Sequence, residues 1–126
     1  MANLSALIIE DDFDLSTIFA EALRAAGFEP EIIRAGDVAL ERLAVTTPLV
    51  VVLDLQLPGV AGTEILQYIR ADPRLAKTPV IIATAYPHIA DSLREEANLV
   101  LVKPVSFSQL RDLSACFLRV ASSSDE

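Results

Sequence analysis

The 126-residue chain has no tryptophan, a single cysteine, a single histidine and only four glycines, and aromatic residues make up 6% of it. One thiol, Cys116, excludes a disulfide within the chain; lying in an apolar stretch, it reads as a small buried hydrophobe in a reducing, cytoplasmic setting. Basic residues are scarce, 10 Lys and Arg against 18 Asp and Glu. The resulting charge of −8 repels a nucleic-acid backbone, so the chain alone is expected to bind no nucleic acid. No apolar run approaches the roughly 20 residues a membrane-spanning helix needs, and no secretory leader is legible. No membrane association is expected.

What is present is hydrophobic surface, 52% of the residues, enough for one domain of this length to bury a core without staples. It is arranged as short apolar runs alternating with segments of helical period, the mark of a parallel sheet covered on both faces by helices. The runs are residues 4–9, 30–34, 49–53, 80–83 and 99–102. The first, third and fourth are nearly unbroken Leu, Ile, Val and Ala, as expected of central strands buried on both faces. Helices are expected over 13–26, 37–45, 63–71, 88–97 and 106–120. The first carries a wide apolar stripe of Leu15, Ile18, Phe19, Ala22, Leu23 and Ala26 and stops at Gly27. The stripe is wider than a sheet need cover, so its outer edge, with Phe19, is a candidate docking face. Right-handed crossovers give an α/β, flavodoxin-like doubly wound sheet of five parallel strands in the order 2-1-3-4-5, with five helices. Residues 1–120 form the domain, and 121–126, rich in serine and acid, read as a disordered tail or the start of a linker.

In open α/β sheets chemistry collects at the carboxyl ends of the central strands. Here the first run is followed by Glu10, Asp11 and Asp12, the third by Asp54, the fourth by Thr84, and the fifth by Lys103 and Pro104. Carboxylates gathered at one edge repel one another, and a hard divalent cation such as magnesium, which takes oxygen ligands, relieves that repulsion. Lys103 adds a positive charge and Thr84 a hydroxyl able to bond an oxyanion. Asp11 and Asp12 have a second reading, as acids that cap the first helix. Asp54 has little room for one, because a carboxylate ending so apolar a run is costly without a partner. Lys103 and Thr84 are ordinary taken singly; their joint placement describes a phosphoryl site.

Along its whole length the chain resembles the receiver domains of bacterial two-component response regulators. The resemblance rests on the ordered set Asp11-Asp12, Asp54 with Pro58 and Gly59, Thr84-Ala85 and Lys103-Pro104. It implies that Asp54 accepts a phosphoryl group from a sensor histidine kinase or phosphotransfer protein, and that signal passes to an output protein or domain by conformational change. It implies Mg2+ held by Asp12, the Asp54 carboxylate and the Gln56 carbonyl, with Asp11 acting mainly through water. Lys103, the Thr84 hydroxyl and the Ala85 amide would contact the phosphoryl oxygens, and the Lys103-Pro104 bond would be cis. Such a chain is an acceptor with weak self-dephosphorylation and not a dedicated enzyme. His88 reads as a surface residue and not as a phosphohistidine relay.

Two departures from the family bear on output. The aromatic residue usual three positions before the lysine is Val100 here, and the stretch from Thr84 to Lys103 is short, with Glu95-Glu96-Ala97-Asn98 at its turn. Two other readings compete. A pseudo-receiver would be a phosphate-independent interaction module, against which the complete pocket argues. A haloacid-dehalogenase-type hydrolase would use Asp12-Phe13-Asp14, but neither the following threonine nor a cap domain accompanies it.

Overall fold

The computed structural model describes residues 4–124. Five strands, β1 (Ser5–Ile9), β2 (Glu29–Ile33), β3 (Val50–Asp54), β4 (Val80–Thr84) and β5 (Leu99–Val102), alternate with five helices. These are α1 (Phe13–Ala26), α2 (Gly36–Leu43), α3 (Gly62–Ala71), α4 (Pro87–Leu93) and α5 (Phe107–Ser124). All pairings are parallel and the order is β2-β1-β3-β4-β5, as expected from the alternation of runs.

Period-two alternation along the central strands divides the core in two. Leu7, Ile9, Val51, Leu53, Val80 and Ile82 face α2 and α3, packing with Leu43, Ile65, Leu66 and Ile69. Ala6, Ile8, Val50, Val52, Ile81 and Ala83 face α1 and α5, packing with Phe19, Leu23 and Leu110. With both faces covered, every residue of β3 and of β4 is buried, Asp54 and Thr84 included. Helix α1 ends where Gly27, at φ 110°, takes the left-handed conformation and donates its N–H to the Arg24 carbonyl. Among the described residues, no helix is long and apolar enough to cross a membrane.

Asp54 and Thr84 end β3 and β4 as read from the sequence, each one residue beyond the apolar runs 49–53 and 80–83. The structure departs from the sequence reading in several places. Strand β2 begins and ends one residue earlier than expected, because Glu29 already pairs with Ser5. Helix α4 stops at Leu93 and not at residue 97: the Glu96 and Ala97 N–H groups both close a turn onto the Leu93 carbonyl. Arg70, reaching from α3, takes the Glu96 carbonyl and the Asn98 side chain out of any helix. Helix α5 continues to Ser124, inside the segment read as tail; residues 125–126 lie outside the described residues. Cys116 is exposed on α5, where Ser114 takes the inward position instead. On α1, Phe19 is 1% exposed and belongs to the core, whereas Ile18 is 41% exposed, so the outer edge of the stripe is Ile18 and not Phe19.

Candidate functional site

The carboxyl ends of β1, β3, β4 and β5 converge on one acidic pocket. Glu10, directly after β1, is 1% exposed, and Asp54, ending β3, is 3% exposed. Lys103, directly after β5, reaches both: Nζ lies 2.9 Å from Glu10 Oε1 and 3.4 Å from Asp54 Oδ1. Its own N–H donates to the Thr84 carbonyl at 2.7 Å, which fixes the chain before the cis Lys103-Pro104 bond. Gln56 N–H donates to Asp54 Oδ1 at 3.2 Å. Thr84 is fully buried, one step beyond the register partner of Asp54 on β4, and its Oγ1 accepts the Tyr86 N–H at 3.1 Å.

Burial is the largest single influence on Glu10 and on Lys103, in opposite directions. Desolvation pushes the Glu10 carboxyl up to about 7, and the neighbouring Asp54 adds to the rise while the Lys103 bond opposes it. For Lys103, desolvation acts downward, but its bonds to Glu10 and the field of Asp54 outweigh it and hold the ammonium above its ordinary range. The pocket thus sets two buried carboxyl groups against one ammonium, with Asp11 close by.

Glu10, Asp11 and Asp54 each present an oxygen within 4.8 Å of the others, an all-oxygen set suited to a hard divalent cation. Asp12 is placed differently. Its backbone is extended, φ −71° and ψ 125°, and its Oδ1 accepts the Leu15 N–H at 2.8 Å, so it caps α1. Its own N–H donates to Glu10 Oε2 at 3.2 Å. The acids whose oxygens gather with Asp54 are thus Glu10 and Asp11, while Asp12, named from the resemblance as a ligand, spends Oδ1 on the α1 cap. Glu10 was counted among the edge carboxylates but given no role; its signal was that it directly continues a buried strand. Magnesium fits this donor set: the carboxylates of Glu10, Asp11 and Asp54 would hold it, with the exposed Asp11 and Gln56 on the open side. Ala85 is exposed at the rim, and His88 is exposed with its ring edge-on to Tyr86, centroids 6.0 Å apart.

Residues 6–114 match the family model of the response regulator receiver domain. The chain is 34% identical over 117 residues to the phosphate regulon transcriptional regulatory protein PhoB of Rhizobium meliloti, covering 90% of this chain and 52% of that protein. It is 33% identical over 125 residues to the sensory transduction protein RegX3 of Mycolicibacterium smegmatis, covering 97% and 54%. It thus spans about half the length of these curated relatives. Among solved structures, the bacteriophytochrome response regulator RtBRR superposes with a TM-score of 0.78 at 29% identity, over 91% of this chain and 76% of that one. The chemotaxis response regulator CheY4 of Vibrio cholerae, 22% identical, shares the fold with a TM-score of 0.82 over 92% of this chain and 99% of that one.

Proposed function

The chain belongs to the response regulator receiver domain family, and from that premise we propose that it takes a phosphoryl group on Asp54 from the phosphohistidine of a sensor kinase or phosphotransfer protein. The observation that carries this reading is a buried carboxylate at the end of a central strand, 3.4 Å from the Lys103 ammonium and beside two further carboxylates. A carboxylate oxygen of Asp54 attacks phosphorus, the P–N bond of the donor breaks, and its electron pair returns to the imidazole ring. No general base is required, because the attacking group carries no proton.

The transition state of phosphoryl transfer is loose, so the protein contributes alignment and charge. Gln56 N–H and Lys103 hold Asp54 Oδ1, fixing the direction from which its carboxylate meets the donor. Lys103 would also meet the phosphoryl oxygens, and Thr84 stands on the neighbouring strand, one residue beyond the register partner of Asp54. Magnesium, when bound, would supply the positive charge that this acidic pocket lacks. The same chemistry makes the chain an acceptor that slowly dephosphorylates itself, with no turnover of phosphate esters, and the signal passes to an output partner through the altered surface. Acetyl phosphate with magnesium is expected to label the protein at up to one phosphoryl group per chain, and Asp54→Asn or chelation to abolish the label. Labelling at full stoichiometry in Asp54→Ala would place the acceptor elsewhere.

A further inference from the structure

The segment from Leu55 to Ala61 joins β3 to α3 and carries Gln56, yet most of it lies open to solvent. Two glycines close against it. Gly62 opens α3 and donates its N–H to the Leu55 carbonyl at 3.2 Å; a Cβ there would lie 2.6 Å from the Asp54 carbonyl oxygen and 2.6 Å from Leu55 Cα. Gly36 opens α2 and donates to the Pro58 carbonyl at 3.5 Å; a Cβ there would meet the Val60 carbonyl oxygen and sit 2.8 Å from Val60 Cβ. Among the described residues, positive φ occurs only at Gly27 and Gly59, so space, not backbone freedom, demands glycine at 36 and 62. The atoms in the way at position 62 are backbone and cannot swing aside, unlike the end of a long side chain. They belong to Asp54 and its neighbour.

We propose that Gly62 is a positioning residue for the phosphoryl site, seating α3 directly on the backbone of Asp54 and Leu55, with Gly36 bracing the far end of the same loop. The inference rests on the acceptor reading of Asp54. An added methyl at 62 must move either α3 or the end of β3. Moving the strand end displaces the Asp54 carboxylate relative to Lys103 and Asp11, and displacements of about 1 Å are costly in a site that works by alignment. An added methyl at 36 presses on Val60, and so reaches Gln56 only through the loop.

The test compares Gly62→Ala and Gly36→Ala with Leu23→Ala, a core change near the C-terminal end of α1, the end away from Asp12 and the pocket. Melting temperature, magnesium affinity by calorimetry, and the rate constant for labelling at saturating acetyl phosphate are read on each. Gly62→Ala is expected to weaken magnesium binding at least threefold and slow saturated labelling at least tenfold. Gly36→Ala should lose magnesium affinity at least twofold, and Leu23→Ala should stay within twofold on both readouts despite an equal or larger fall in melting temperature. The proposal is overturned if folded Gly62→Ala keeps both values within twofold, or if Leu23→Ala loses as much. Should Gly62→Ala fail to fold, Gly36→Ala decides: unchanged magnesium affinity there refutes the bracing of the loop. Absence of Asp54-dependent label in the unaltered protein would undo the acceptor reading instead, leaving magnesium affinity as the measure of the glycines.

Discussion

Lys103 Nζ lies nearer to Glu10 than to Asp54, 2.9 Å against 3.4 Å, and its side chain is 19% exposed. Its removal would leave two buried carboxylates facing each other with no ammonium between them, and an uncompensated buried charge is costly to keep. Lys103→Ala is therefore expected to lower unfolding free energy in magnesium-free buffer by about 1–3 kcal/mol, discounted for the partial exposure of the lysine. Equilibrium urea unfolding at neutral pH reads this, and an unchanged midpoint would mean that the acids had found another partner. At this scale the sequence was legible where one residue ended one apolar run, as for Asp54, Thr84 and Lys103. It was not legible within Glu10-Asp11-Asp12, where three acids in succession compete for two tasks. Only the phase at which α1 starts decides that Asp12 caps the helix and Glu10 turns into the pocket.

Between elements, the start of α4 adjoins the pocket through Thr84. Tyr86 precedes the helix with no side-chain cap, and its N–H is held by the Thr84 hydroxyl. A phosphoryl group on Asp54 would carry about two negative charges in place of the one on the carboxylate and draw that hydroxyl toward itself, releasing the Tyr86 N–H. Val100 on β5 is buried in the core cluster against which Ile89, Leu93 and Ala97 pack, β-branched and without a ring to turn. The other end of the segment is fastened, since Arg70 donates to the Glu96 carbonyl at 2.7 Å and to Asn98 Oδ1 at 3.0 Å, and Asn98 in turn accepts the Val80 N–H. Beryllium fluoride with magnesium is expected to produce its largest amide shifts outside the pocket across residues 84–93, with 99–102 nearly silent. Dominant shifts along β5 and α5 would contradict this. Element types were legible because central strands were continuous apolar runs. Boundaries were less so at β2, whose Glu-Pro-Glu start hides an edge strand, and at α4, whose end is set by an arginine from another helix.

At the scale of the whole molecule, the sheet has two rims, and β2 forms one of them. Glu29 donates its N–H inward to the Leu4 carbonyl at 2.8 Å, so alternation along the strand turns the amide positions of Pro30 and Ile32 outward. Proline has no N–H to offer there. Glu31 nearby is held by Arg42 through paired bonds of 2.9 and 3.0 Å, laying a charged fork over the same rim. The consequence is colloidal. A strand from a second molecule arriving at this rim finds its first donor missing and its approach guarded by charge, two devices that blunt edge-to-edge growth. Pro30→Val should keep the fold while restoring that donor, and is expected to shorten the lag before turbidity appears in concentrated, heated samples; an unchanged lag would assign the protection to the charges alone.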